Sequence, residues 1–360
     1  MKSNIKRIVL ILLILVLGLV MISLVEYLLI VNIRKTQNER NEQLAIYKEL
    51  ESDNLIFTNG VRTHGQLRTE GAKLVDENGM PFQLRGMSSH GLLWYPEYTN
   101  YQSVLSTRAY GANSFRIAMY ANEVNGGYVQ QPDLSLKLMY AAIENVLAAD
   151  MYAIVDWHVL SEKNPLQNTQ EAIQFFEKVA SHYGNEPGII YEICNEPNGD
   201  TTWTDIVAYA NQVIPVIRTY APDAIILVGT PKYSYNIVEV IGNTLPYQNI
   251  LYSYHFYAGQ FGNEYENMIA DCHRNNVPIF VSEWGINEEQ GGEASIQQGK
   301  EFVTYLNENA ISWNAWALCN KDETFAAIRP DCSKYSNWTE EDLTKVGQIF
   351  FDGLAGQGLE

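Results

Sequence analysis

Eight short apolar runs, each followed by a longer stretch with helical periodicity, restrict what this chain of 360 residues can fold into. The runs are Phe82 to His90, Ala112 to Tyr120, Tyr152 to His158, Gly188 to Glu196, Ala224 to Thr230, Ile250 to Tyr257, Pro278 to Glu283 and Ile311 to Leu318. The helical segments are Tyr101 to Tyr110, Leu134 to Asp150, Gln167 to Tyr183, Thr202 to Tyr220, Ser234 to Ile241, Asn263 to Asn275, Ala294 to Asn309 and Glu340 to Phe350. Runs that are apolar throughout, and rich in β-branched and aromatic residues, suit strands buried on both faces. Eight such units predict an α/β fold, the (β/α)8 TIM barrel. A doubly wound sheet would alternate in the same way. Polar placement decides between the two. His90, Arg116, His158, Asn195, Glu196, His255, Tyr257 and Glu283 fall at the carboxyl ends of the predicted strands, the rim on which barrels carry their chemistry.

Local signals add detail. Thr202 and Asn263 read as helix N-caps, and Gly111 and Gly184 lie just past helix ends. Ahead of the first barrel strand, Gln66 to Gln83 reads as two short strands around Asp76-Glu-Asn-Gly79, a β-hairpin placed to close the barrel floor. From about Phe57 onward no break in composition appears, so residues 57–360 are expected to form one catalytic domain.

The first residues differ in kind. Lys2, Lys6 and Arg7 precede an uncharged run from Ile8 to Val25, then Glu26 and a second apolar piece from Tyr27 to Ile33. That run exceeds the usual signal-peptide core of about 7–15 residues and approaches the roughly 20 needed to cross a bilayer. Residues 1–33 are therefore expected to be a basic cytoplasmic end and a transmembrane helix serving as signal anchor, with residues 8–33 in the membrane. Arg34 and Lys35 on the far side oppose this orientation. Residues 34–56 read as a polar stalk. The expected location is the cell membrane, single-pass, with the catalytic domain extracellular; a cleaved signal peptide would make the protein secreted instead.

Residues 1–56 carry seven Lys/Arg against six Asp/Glu, so of the chain's net charge of −18 the rest carries −18 − 1 = −19, which argues against nucleic acid as a partner. The 23 tyrosines and seven tryptophans offer flat faces suited to sugar rings, although most such rings simply fill large cores. Cys194, Cys272, Cys319 and Cys332 show neither a Cys-x-x-Cys pair nor zinc spacing, so no metal is expected. In an extracellular domain Cys319 and Cys332 are near enough in sequence to close a small disulfide loop. No protein partner is implied.

Two glutamates carry the functional signal. Glu196 closes Gly188-Ile-Ile-Tyr-Glu-Ile-Cys-Asn-Glu-Pro197, and Glu283 lies in Pro278-Ile-Phe-Val-Ser-Glu-Trp-Gly285. A carboxylate at the tip of a buried strand costs several kcal/mol unless it has a partner or a task. Two of them in equivalent positions suit an acid and a nucleophile acting on one glycosidic bond.

The motifs run in a fixed order: Ser114-Phe-Arg-Ile-Ala-Met-Tyr120, Asp156-Trp-His158, Asn195-Glu-Pro197, Tyr254-His-Phe-Tyr257, Ser282-Glu-Trp-Gly285 and Trp313-Asn-Ala-Trp316. On these residues the chain resembles glycoside hydrolase family 5, in its bacterial endo-β-1,4-glucanase (cellulase) branch, over roughly Gln66 to Phe350. The resemblance implies Glu196 as general acid/base, flanked by His158 and His255. It implies Glu283 as nucleophile, kept ionised by Arg116 and hydrogen-bonded by Tyr257. Asn195 matches the residue that binds the sugar 2-hydroxyl, and Trp316 the platform under the sugar at the cleavage point. Trp94, Tyr120 and His90 match further substrate contacts, as do Lys321 and Glu323 in the Lys-x-Glu segment. Phe325 departs from the small residues usual after that glutamate. The implied activity is retaining hydrolysis of internal β-1,4 bonds in a cellulose-like β-glucan, without a cofactor. Alternatives are a related β-glycanase acting on mannan, xyloglucan or mixed-linkage glucan, or a non-catalytic surface carbohydrate-binding protein.

Overall fold

Side chains alternate across a strand, and this period sorts the apolar residues of the chain into two cores. The computed structural model describes residues 58–356 and Leu359. The expected membrane segment and stalk lie outside these residues. Among the described residues no helix is long and apolar enough to cross a membrane.

Two short antiparallel strands come first, β1 (Arg68–Glu70) and β2 (Lys73–Val75). Eight parallel strands follow: β3 (Arg85–Ser89), β4 (Ser114–Tyr120), β5 (Tyr152–His158), β6 (Ile189–Glu192), β7 (Ile226–Val228), β8 (Ile250–Ala258), β9 (Ile279–Ile286) and β10 (Trp313–Leu318). They succeed one another around a closed barrel in which β10 pairs with both β9 and β3. Each lies within or nearly within its apolar run, and the TIM-barrel expectation holds.

Strand β5 shows how the pattern works. Ala153 and Val155 point outward into the large core shared with the helices, while Tyr152 and Ile154 join the inner floor with Leu84, Ile190, Leu227, Leu251 and Phe280. Asp156 and His158 continue the inward row toward the rim. The interior thus passes from apolar floor to polar rim along one strand, and only the rim can hold a reaction.

The hairpin does close the floor, since Leu67, Leu74 and Phe82 join the inner apolar cluster. The expected reversal at Asp76–Gly79 is present, flanked by the antiparallel bridge between Val75 and Pro81, but the two regular strands reverse earlier. β1 and β2 reverse at Gly71-Ala72, where Gly71 has φ +60 and supplies the left-handed turn that an L side chain resists. The Asp76–Gly79 segment makes a second reversal, held by Asp76 Oδ1, which accepts from the backbone N–H groups of Asn78 and Met80.

Seven of the eight predicted helical segments contain an α-helix: Tyr101–Ala109, Pro132–Ala148, Thr169–Tyr183, Trp203–Tyr220, Tyr265–Arg274, Glu293–Glu308 and Lys345–Leu354. Segment Ser234 to Ile241 does not; it holds only a 3-10 turn, Ile237–Val240. Lys232, Tyr233 and Ser234 sit at φ 59, 61 and 56, and this left-handed run consumes the residues a helix would need. Thr202 caps its helix through a reciprocal pair with Asp205. Asn263 is not a cap: Glu264 precedes that helix, and the Asn263 carboxamide instead accepts from Gln298. The last helix starts later than expected, at Lys345, where the Thr344 hydroxyl accepts from Gly347 N–H. Cys319 and Cys332 are both free thiols, so the disulfide loop does not form.

Candidate active site

Side chains from β3, β5, β6 and the residues just beyond it, and β9 converge on a single guanidinium of β4. Arg116, the third residue of β4, is wholly enclosed. Nε donates to Glu192 Oε2 at 2.6 Å; Nη1 donates to Glu283 Oε2 at 3.1 Å and Ser88 Oγ at 3.3 Å. Nη2 donates to Asn195 Oδ1 at 2.7 Å and lies 3.0 Å from Asp156 Oδ2. Four hydrogen bonds and one close ion pair thus surround the guanidinium. Burial opposes the charge on Arg116, but Asp156, Glu192 and Glu283 outweigh it and hold the group more firmly protonated than usual.

Glu283 and His255 are partners across the β8–β9 pair, just past a register shift; on β9 the adjacent Ser282 and Glu283 both face the interior. Tyr257 O–H donates to Glu283 Oε1 at 2.7 Å. Burial raises the Glu283 carboxyl; the neighbouring His255 and Arg116 pull it down, and Glu196 pushes it up. Glu196 stands beyond the end of β6, its backbone N–H donating to Val159 O at 3.1 Å. Burial pushes its carboxyl up to about 8, against Arg116 and with the help of the negative charges of Asp156 and Glu192. A carboxylate oxygen of Glu196, one of Glu283 and a ring nitrogen of His255 all lie within 4.8 Å of one another. Within this trio His255 Nδ1 and Glu196 Oε1 share a hydrogen bond at 2.9 Å.

The two histidines differ in task. His255 bonds Glu196 directly, and burial lowers its ring to about 4, so it is neutral at physiological pH. His158 makes its hydrogen bonds elsewhere than to Glu196. Its Nδ1 meets Asp156 Oδ2 at 2.7 Å and its Nε2 meets Asn195 Nδ2 at 3.2 Å, so together with Arg116 it fixes the Asn195 amide. Burial holds the His158 ring well below its ordinary range, and a neutral ring with its proton on Nδ1 satisfies both contacts.

Above these groups opens a cleft of about 610 Å³. It is lined by the expected His90, Tyr120, His158, Glu196, His255, Tyr257, Glu283, Trp316, Lys321 and Glu323. Arg116 and Asn195 lie beneath it, enclosed. Trp94 stands partly exposed at one side, packed on Tyr120 with ring centroids 4.8 Å apart. Trp316 stacks on His158 at 5.1 Å. Lys321 Nζ pairs with Glu323 Oε2 at 2.5 Å, and both approach His90 Nε2, at 3.4 and 3.6 Å.

Sequence reading missed Leu160, Tyr233, Gln260 and Phe261 in the cleft wall, together with Glu192 and Ser282 beneath it. Glu192 carried a signal, being a carboxyl inside an apolar strand four residues before Glu196. Tyr233 carried none, because its place depends on the left-handed run described above.

Comparison with known proteins agrees with this geometry. The profile of the family described as Cellulase (glycosyl hydrolase family 5) matches residues 75–322. An endoglucanase of Clostridium saccharobutylicum is 41% identical over 295 residues, 81% of this chain and 65% of that protein. Endoglucanase A of Butyrivibrio fibrisolvens is 40% identical over 309 residues, 84% of this chain and 72% of that one. The chain thus spans about two thirds of the length of these relatives. Among solved structures, a variant of the catalytic domain of a Thermobifida fusca endoglucanase, in complex with cellotetraose, superposes with a TM-score of 0.76 at 31% identity, covering 82% of this chain and 98% of that one. With the family profile spanning more than half of its residues and relatives this similar, the chain belongs to glycosyl hydrolase family 5, the cellulase family.

Proposed function

We propose that this protein is a retaining endo-β-1,4-glucanase acting on cellulose-like β-glucan. The observation that carries the reading is the approach of Glu196 and Glu283 to within 4.8 Å, oxygen to oxygen, across one cleft. Retention by a double displacement needs carboxyl groups about 5–5.5 Å apart, whereas inversion needs about 6.5–9.5 Å to admit a water. Endoglucanase relatives and a cellotetraose-bound neighbour support the substrate class.

In this mechanism Glu283 attacks the anomeric carbon, and Glu196 gives its proton to the departing oxygen. Arg116 and Tyr257 stabilise the attacking carboxylate. Glu196 then takes a proton from water, which displaces Glu283 from the glycosyl-enzyme. Asn195 meets the 2-hydroxyl of the reacting sugar, and Trp316 lies under its ring. On the side of Lys321 and His90, the buried Oε1 of Glu323 lacks a hydrogen-bond partner among the described residues and is an acceptor for a sugar hydroxyl.

Reducing-end release from carboxymethylcellulose, compared with mannan and xyloglucan, tests the substrate. Proton NMR of the first-formed anomer tests retention. Preferential cleavage of mannan, or an α product, would overturn the proposal. Residues 8–33 are proposed to anchor the catalytic domain outside the cell membrane, a reading supported by their apolar run and basic flank. N-terminal sequencing of the mature protein tests it, since a start beyond Ile33 removes the anchor.

A further inference from the structure

Beneath the cleft, hydrogen bonds connect Glu196 to Glu283 through side chains buried below the sugar-binding surface. Glu196 Oε1 meets His255 Nδ1 at 2.9 Å, and His255 Nε2 meets Ser282 Oγ at 3.0 Å. Ser282 Oγ donates to Glu192 Oε1 at 2.7 Å. Glu192 Oε2 accepts from Arg116 Nε at 2.6 Å, and Arg116 Nη1 reaches Glu283. Counting protons along this chain fixes where each one sits.

A carboxylate only accepts, so the bond to Glu192 uses the single hydroxyl proton of Ser282. Ser282 Oγ has then only lone pairs to offer His255, and the imidazole proton must lie on Nε2. His255 is neutral, which leaves Nδ1 bare. A bare nitrogen 2.9 Å from Glu196 Oε1 forms a hydrogen bond only if the carboxyl supplies the proton. We propose that Glu192 is a positioning residue: through Ser282 it fixes His255 as the Nε2–H tautomer, and the bare Nδ1 then keeps the acid/base carboxyl of Glu196 protonated. The inference rests on the acid/base role proposed above for Glu196.

Burial and the charge of Asp156 raise the Glu192 carboxyl; Arg116 opposes this, and its Nε together with the Ser253 hydroxyl at 3.3 Å grips the ionised form that the relay requires. The charged or titratable groups facing it are Arg116 from β4, Asp156 from β5 and His255 from β8. His255 in turn faces Glu196, Glu283, Arg116 and Glu192. The same arrangement serves the second half of the reaction. Once Glu196 has released its proton, its carboxylate faces the Nδ1 lone pair, which makes it a stronger base toward the incoming water.

Glu192→Gln reverses the relay without removing it. Arg116 only donates, so the amide oxygen must face Nε and the amide NH2 must donate to Ser282. The Ser282 proton is then free for His255 Nε2, the imidazole proton moves to Nδ1, and Nδ1–H donates to an ionised Glu196. Ser282→Ala removes the acceptor on Nε2 and favours the same tautomer, while leaving Glu192 on Arg116.

The test records 15N shifts of the His255 ring in the full histidine-labelled chain, and the pH profile of kcat/KM on a cello-oligosaccharide. Wild type should show a protonated Nε2 and a bare Nδ1. Both variants should exchange them, with the alkaline limb falling by about one pH unit or more, and Ser282→Thr, which keeps the hydroxyl, should restore the wild-type pattern. A wild-type ring protonated on Nδ1 would overturn the proposal. So would variants with an unmoved tautomer whose activity falls equally at every pH. If wild type cleaves no β-glucan, the functional reading fails and the ring shifts still decide the relay.

Discussion

Arg116 reaches Oε2 of Glu283 at 3.1 Å from a position that no solvent touches. The cation beside the proposed nucleophile is enclosed, so salt cannot screen it and water cannot replace it. Its flat fork also serves Ser88, Asp156, Glu192 and Asn195 at once. Arg116→Lys keeps the charge and loses the fork. The expected outcome is a fall in kcat of about 100-fold or more, with a stability loss of about 3–5 kcal/mol from the buried carboxyl groups left without a donor. Turnover on carboxymethylcellulose and urea unfolding measure the two effects.

The two glutamates separate by leaving group. Glu283→Ala removes the attacking atom, so every substrate should slow by about 10⁴-fold or more. Glu196→Ala should lose polysaccharide hydrolysis while still releasing dinitrophenolate from an aryl cellobioside in a burst, because that leaving group departs without a proton. Added azide should restore turnover of the second variant and yield a β-glycosyl azide. Equal rates for wild type and Glu283→Ala on glucan would remove Glu283 from the mechanism.

Activity should be bounded on both sides in pH. Glu283 must be ionised, and its carboxyl is raised above the ordinary value by burial, so kcat/KM should rise with pH through a limb above the usual glutamate range. Glu196 must be protonated, and burial holds it at about 8, so kcat/KM should decline as pH passes that value. A profile still climbing well beyond pH 8 would contradict a Glu196 proton in the first step.

Much of this site was legible in the chain. Eight continuous apolar runs alternating with helical segments gave the barrel, polar residues at the ends of those runs gave its rim, and Arg116, Asn195, Glu196, His255 and Glu283 meet there as their motifs require. Three kinds of feature were hidden, each for a physical reason. Glu192 looked like part of an apolar strand because its partners Arg116 and Ser282 come from elements 76 and 90 residues away. His158 looked like a neighbour of Glu196, yet the strand pleat aims it at Asp156 and Asn195. Tyr233 was placed by three left-handed residues that no periodicity announces.

Phe325, the departure from small residues in the segment after β10, bears on specificity. Its ring packs edge-on against Tyr257 with centroids 4.9 Å apart, and it forms part of the cleft wall. Glu283 orients what lies above it. Oε2 is on the side of Arg116, which also holds Asn195, while Oε1 is on the side of Tyr257. A sugar whose 2-hydroxyl meets Asn195 therefore turns its ring oxygen and its C5–C6 arm toward Tyr257 and Phe325. A substituent on the 6-hydroxyl at that position would meet the Phe325 ring. Phe325→Ser should raise kcat/KM by about tenfold on oligosaccharides branched at O6 of the reacting sugar, the scale of a relieved apolar clash. On unbranched cello-oligosaccharides the same change should cost a few-fold, because Tyr257 loses an aromatic contact worth about 0.5–1.5 kcal/mol. The ratio of the two constants, measured with defined xyloglucan and cellulose oligomers, carries the result; a ratio unchanged from wild type would show that Phe325 does not face the C6 edge.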